Sequence, residues 1–158
     1  MNNKLLVLKS EILQDLEKLD RLFERFESSY DRYSRRKEYS ILVESAFYVN
    51  RLYTGFERMF QNIAAAFENT IEKSSWHKSL LDRMVIAIEN IRPAVISKNN
   101  YGPLNELRAF RHFFRHAYDF DLEDEKFAIV ASKTRQLKKT YKNDYEKFLR
   151  FIDDLLVD

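Results

Sequence analysis

Gly55, Gly102, Pro93 and Pro103 are the only glycines and prolines in 158 residues. A sheet protein must reverse its chain at each strand end, and tight reversals draw heavily on these two residue types. Four such residues cannot supply an all-β or α/β fold, so the chain reads as an all-α helical bundle. Apolar residues make up 45% of it and charged residues 33%, a balance that supports a packed core and argues against disorder. The length suits one domain over residues 1–158.

Several chemistries are excluded at once. There is no cysteine, so disulfides, thiolate metal sites and cysteine nucleophiles are absent. That is compatible with a reducing cytoplasm, and a cytoplasmic location is expected. No apolar run approaches the roughly 20 residues that cross a bilayer, so no membrane partner is expected. Met1-Asn2-Asn3-Lys4-Leu5 passes directly into a charged amphipathic pattern and does not read as a signal peptide. The net charge of +2 permits an RNA partner where basic residues cluster, and requires none.

Apolar periodicity divides the chain into about five helices. The first covers about residues 4–34, with Ile12, Leu16, Leu19, Phe23, Phe26, Tyr30 and Tyr33 alternating by four and three along one seam. The second covers about 38–72, with Phe47, Leu52, Phe56, Met59, Phe60, Ile63, Ala64 and Phe67 as a broad apolar face. Gly55 inside it costs about 1 kcal/mol against alanine, and is either a point of close helix approach or simply tolerated. Ser74-Ser75 offers an N-cap for a third helix from about Trp76 to Ile91, ended by Arg92-Pro93. Lys98-Asn99-Asn100-Tyr101-Gly102-Pro103 reads as a loop. A fourth helix over about 103–118 and a fifth over about 126–156 follow. Phe127, Val130, Leu137, Tyr141, Phe148, Ile152 and Leu155 mark the buried side of the fifth.

The fourth helix carries the chemistry. On a helical wheel Leu107, Phe110, Phe113, Phe114, Ala117 and Phe120 fall on one side. Arg108, Arg111, His112, Arg115, His116 and Asp119 fall on the other. Arg111, Arg115 and Tyr118 form one stripe at i, i+4 and i+7, and His112 and His116 form the next. Arg111 and His116 stand roughly 140° apart, so one helix alone does not aim both at one phosphate. Cleavage of RNA without metal needs a base for the 2′-hydroxyl, an acid for the leaving oxygen and positive charge on the phosphorane. Histidine exchanges protons near neutral pH, and arginine binds phosphate oxygens bidentately. The default reading of such a face is a solvated helix surface. Two histidines at i, i+4 can also hold a metal. The zinc-protease glutamate is missing between them, so no metal and no cofactor is expected.

Arg111, four residues, His116, one residue, Tyr118 resembles the R-x4-H-x-Y motif of HepT-type toxins in the HEPN superfamily. Leu52-Tyr53-Thr54-Gly55-Phe56-Glu57-Arg58-Met59-Phe60 resembles the family's second-helix segment. Trp76-His77-Lys78-Ser79-Leu80-Leu81 and Arg92-Pro93-Ala94-Val95-Ile96 resemble the stretches that follow. The ordered set spans roughly residues 40–125 and is far more specific than the short motif. The resemblance implies an all-α HEPN-like bundle that forms a homodimer, with two motifs building one composite cleft. It implies a metal-independent endoribonuclease acting on tRNA or mRNA. Arg111 would stabilise the scissile phosphate and His116 would transfer protons. His112 and Arg115 would assist or hold RNA. It also implies a nucleotidyltransferase antitoxin of the MNT type that transfers AMP from ATP to Tyr118. The added charge and bulk would then occupy the phosphate site. Replacing Arg111 or His116 with alanine is expected to abolish cleavage while the fold survives. The competing reading is a non-catalytic helical dimer on the same scaffold, binding RNA, a nucleotide or a partner protein.

Other basic and acidic groups have plainer readings beside the functional one. Lys133, Arg135, Lys138, Lys139 and Lys142 on the fifth helix form either an RNA grip or a solvated face. Arg32, Arg35, Arg36 and Lys37 pose the same choice. Trp76 reads as a packing anchor and His77 as a surface or capping residue. Asp119, Asp121, Glu123, Asp124 and Glu125 read as a helix boundary that favours the N-terminus of the fifth helix.

Overall fold

The structure, a computed structural model, describes residues 1–68, 76–119 and 121–158. Five helices follow in order: α1 (Asn2–Arg36), α2 (Tyr39–Phe67), α3 (Trp76–Met84), α4 (Lys98–His116) and α5 (Asp124–Val157). No strand forms among the described residues, where Ile88 and Arg92 make one isolated bridge. Among the described residues the chain adopts the expected all-α bundle of five helices. The Ser74-Ser75 cap, the side chains of Trp76 and His77, and Phe120 lie outside the described side chains.

Helices α1 and α2 form a hairpin that turns at Lys37, whose φ of 53° is left-handed and whose N–H closes on the Tyr33 carbonyl. Small residues let the two helices approach. Ser45 donates to Ser29 at 2.9 Å in a fully buried contact. A Cβ on Gly55 would stand 2.9 Å from Leu19 Cδ2, so Gly55 marks close helix approach. The seam of α1 packs as its spacing predicts: Ile12, Leu19, Phe23, Phe26 and Tyr33 are buried. Phe47 departs from the expected α2 face and is 44% exposed.

The core is aromatic. Phe23 stacks on Tyr141 at 4.9 Å, and Phe56 meets the same ring edge-on at 5.6 Å. Such pairs add about 0.5–1.5 kcal/mol each beyond their area burial. They tie α1, α2 and α5 into one unit. Tyr141 also donates to Asp20, and Lys142 pairs with the same carboxylate at 2.6 Å.

Three boundaries differ from the sequence expectation. Helix α2 ends at Phe67, where Glu68 N–H caps the Ala64 carbonyl, rather than near 72. Helix α3 ends at Met84, well before Arg92-Pro93. The amides of Val95 and Ile96 return to the Met84 carbonyl at 2.8 and 3.0 Å and cap it. Between them Asn90 takes a left-handed φ of 61°, which asparagine tolerates. Arg92 is buried there and binds Glu68, already paired with Arg83, and the carbonyls of Ile86, Pro93 and Arg83. The third difference is the supposed loop at 98–103, which is the start of α4. Ser97 caps it by accepting from the Asn100 amide. Pro103 sits in the second turn, so its missing N–H affects only the exposed Asn99 carbonyl.

A buried polar cluster anchors that start against α5. Asp144 accepts from Ser97 N, Ser97 Oγ and Asn100 Nδ2, and Thr140 donates to Asn100 Oδ1. Removing the carboxylate takes the acceptor from three donors, of which Asn100 Nδ2 keeps the Thr140 carbonyl at 3.3 Å. Asp144→Ala is expected to cost on the order of 3 kcal/mol and to lower the melting temperature by about 6–12 °C for a chain of this size. A melt followed by circular dichroism reads this, and an unchanged midpoint would show that the cluster does not anchor α4.

Candidate active site at the end of the fourth helix

The last two turns of α4 hold Arg111, His112, Arg115 and His116, but the helix does not present them as one face. Arg111 is 3% exposed. Its guanidinium grips Glu57 of α2 through two contacts, Nη1–Oε1 at 3.1 Å and Nη2–Oε2 at 2.7 Å. Nη1 also reaches Thr54 Oγ1 at 3.5 Å, and the Tyr53 ring lies 4.8 Å from the guanidinium carbon. The wheel placed Arg111 at the edge of the polar side, about 40° from Leu107. The structure turns it inward because α2 supplies a carboxylate and an aromatic face, which make burial of the charge tolerable. Burial and the nearby Glu57 carboxylate push the Tyr53 phenol well above its ordinary value, so it stays neutral. Phe113, expected in the core, is instead 50% exposed.

The two histidines are exposed and do come together. Their rings lie 4.3 Å apart at 29°. His116 Nδ1 stands 2.8 Å from the His112 carbonyl oxygen. A carbonyl only accepts, so Nδ1 carries a proton in this contact. In the neutral ring Nε2 is then the acceptor. Helix α4 thus holds its own histidine in the tautomer that leaves Nε2 for proton transfer.

Helix α4 stops at His116, and Ala117 is already extended. Acidic residues beyond it, beginning with Asp119, oppose continuation at the negative end of the helix dipole. Tyr118 therefore leaves the stripe expected with Arg111 and Arg115. It stands 99% exposed, so its hydroxyl is fully accessible. Among the described residues no cluster of three His, Asp or Glu forms around the histidines.

The other basic groups are placed differently from one another. Arg135 is engaged with α1, pairing Glu27 and Asp31 at 3.1 Å and covering the Tyr30 ring. Lys138 and Lys139 are exposed and Lys133 is half-buried. Arg32 pairs with Glu44, and Lys37 lies 3.8 Å from Asp124 and over the Tyr33 ring. Asp124 and Glu125 occupy the first turn of α5, as the dipole reading requires. No described helix is long and apolar enough to cross a membrane.

Sequence reasoning missed Glu57 and Tyr53, the groups that hold Arg111. It also missed a groove of about 700 Å³ between α1 and α2 that reaches Arg115. A signal for that groove was present: Lys18, Arg21 and Arg25 recur at helical spacing on α1, as do Arg51 and Arg58 on α2.

No curated protein and no solved structure matches the chain. The family model described as HepT-like protein matches residues 44–152, which takes in most of α2 and α5 and all of α3 and α4. Well over half of the sequence is covered, and the R-x4-H-x-Y residues lie inside the match. The chain belongs to the HepT-like family of the HEPN superfamily.

Proposed function

We propose that this protein is the toxin of a HEPN/MNT toxin–antitoxin pair, a metal-independent endoribonuclease acting on tRNA or mRNA in the cytoplasm. The observation that carries the reading is His116, held by its own helix with Nε2 as the acceptor, five residues after Arg111 in a HepT-like chain. Nε2 takes the proton from a 2′-hydroxyl as that oxygen attacks the adjacent phosphorus. The P–O5′ bond breaks, the 5′-oxygen takes up a proton and leaves as a hydroxyl, and a 2′,3′-cyclic phosphate remains. Arg111 stabilises the charge on the phosphorane, and His112 and Arg115 hold the RNA. The chain acts as one domain over 1–158, and a homodimer brings two such helix ends to one cleft. Tyr118 is the residue on which an MNT-type nucleotidyltransferase places AMP, and its exposure suits that enzyme's access.

The test is cleavage of RNA by purified protein in EDTA, with a 2′,3′-cyclic phosphate at the new end. Incubation with ATP and the nucleotidyltransferase is expected to add about 329 Da per transferred AMP. Tyr118→Phe should abolish the adduct. No cleavage of any RNA in EDTA would overturn the nuclease reading, and an adduct that survives Tyr118→Phe would overturn the modification site.

One observation favours a second reading, a non-catalytic scaffold that binds RNA, a nucleotide or a partner. Arg111 is buried against Glu57, as a structural arginine would be. That reading expects no turnover at any protein concentration, with binding that survives loss of His116.

A further inference from the structure

The groove between α1 and α2 is lined by exposed cations at the spacing of helical turns. Arg21 and Arg25 line its α1 side, and Arg51 and Arg58 its α2 side. Arg115 of α4, which precedes His116 in the chain, also lines it. None of these five guanidinium groups forms an ion pair with a described residue, whereas Arg32, Arg83, Arg92, Arg111 and Arg135 all do. Such a row of like charges repels itself and weakens the fold unless something anionic lies across it. The lining runs from Asp15 to Arg25 on α1 and from Phe47 to Arg58 on α2, about 15 Å along each helix axis. Thr54 lines the groove, and its hydroxyl lies 3.5 Å from Arg111 Nη1, so one side chain stands between the groove and the buried arginine.

An aromatic ring completes the pattern. Phe47 lines the same groove with 44% exposure, and the Arg51 guanidinium carbon lies 5.7 Å from its centroid. Cations that follow a backbone, interleaved with an exposed ring on which a base can stack, are the features of a surface for unpaired nucleic acid. We propose that this groove is the binding track for the phosphate backbone of an unpaired RNA strand, leading it from α1 and α2 to the His112–His116 end of α4. The choice of RNA rests on the ribonuclease reading. The charge complementarity and the ring do not.

The test uses the full chain carrying His116→Ala, so that binding is read without cleavage. The probe is a fluorescein-labelled 12-residue oligouridylate followed by anisotropy across a salt series. Arg21→Ala/Arg25→Ala/Arg58→Ala is expected to weaken binding at least tenfold near 0.15 M salt. The same variant should reduce the slope of log K against log salt by about two, since each lost phosphate contact removes about 0.7 for a single strand. Lysine at the same three positions should restore the slope. Phe47→Ala should weaken binding about tenfold and leave the slope unchanged, because stacking releases no counterions. Lys4→Ala/Lys147→Ala/Arg150→Ala, an equal loss of charge outside the groove lining, should leave affinity within about twofold. All these side chains are exposed, so melts should stay close to the parent and report intact folds.

Unchanged affinity and slope in the groove variant would overturn the proposal. So would a groove variant that binds RNA normally but no longer binds the nucleotidyltransferase or a second copy of the chain, which would make the surface a protein interface. The two readings fail separately. Wild-type protein that never cleaves RNA yet binds it through these arginines would sink the nuclease and keep the track. Cleavage and binding untouched in the groove variant would keep the nuclease and sink the track.

Discussion

His116→Ala is expected to slow RNA cleavage by about 10²–10⁴-fold, the usual contribution of a positioned proton-transfer group. The same change should move the melting temperature by no more than about 2 °C, because exposed substitutions fall within about 0.5 kcal/mol. The argument rests on the contact between Nδ1 and the His112 carbonyl at 2.8 Å. That contact uses the backbone of residue 112 and leaves its side chain out. His112→Ala therefore removes the stacked ring but keeps the tautomer of His116, and a loss of about tenfold or less is expected from a group that assists by contact alone. Initial rates on labelled RNA in EDTA, with a melt of each variant, read both effects. Full activity in His116→Ala would sink the assignment of this histidine. A His112→Ala loss as large as that of His116→Ala would move the proton-transfer role to the pair.

How far the site was legible follows from what is local. The α1 seam was readable because its spacing lies within one helix and its burial follows. The exposed histidine pair was readable for the same reason. The start of α4 was not, because Gly102-Pro103 carries a strong loop signal. That signal yields to a Ser97 cap and to the anchor from Asp144, which lies 47 residues further along. Arg111 was the most consequential error of placement. A wheel places residues by angle alone, and Arg111 stands about 40° from Leu107, at the edge of the polar side. Its actual environment depends on Glu57 and Tyr53, 54 and 58 positions earlier, and nothing in the spacing around 111 encodes them. The same non-locality hid the groove, since each arginine row reads as a solvated face until α1 and α2 are set side by side.

The inward turn of Arg111 changes what its substitution means. The expectation that Arg111→Ala leaves the fold intact does not suit a side chain that is 4% exposed and paired at 2.7 Å with a carboxylate that is itself 12% exposed. Removing either partner takes away the opposite charge that the other faces at 2.7 Å in a buried site. Arg111→Ala and Glu57→Ala are each expected to cost about 3–5 kcal/mol, lowering the melting temperature by about 6–20 °C. Lost activity in Arg111→Ala alone is therefore ambiguous. Arg111→Met/Glu57→Met removes both charges with apolar groups of similar length, and such replacements are neutral or stabilising. This double variant should melt near the parent and still cleave about 10²–10³-fold more slowly, the loss seen when one donor to a developing oxyanion is removed. Glu57→Ala keeps the guanidinium, so at about 10 °C, below its lowered melting temperature, it should cleave within about tenfold of the parent. Full cleavage by the double variant would make Arg111 a structural post. Silence in Glu57→Ala at a temperature where it is folded would assign Glu57 the positioning of Arg111, since the arginine would then be present but misaimed.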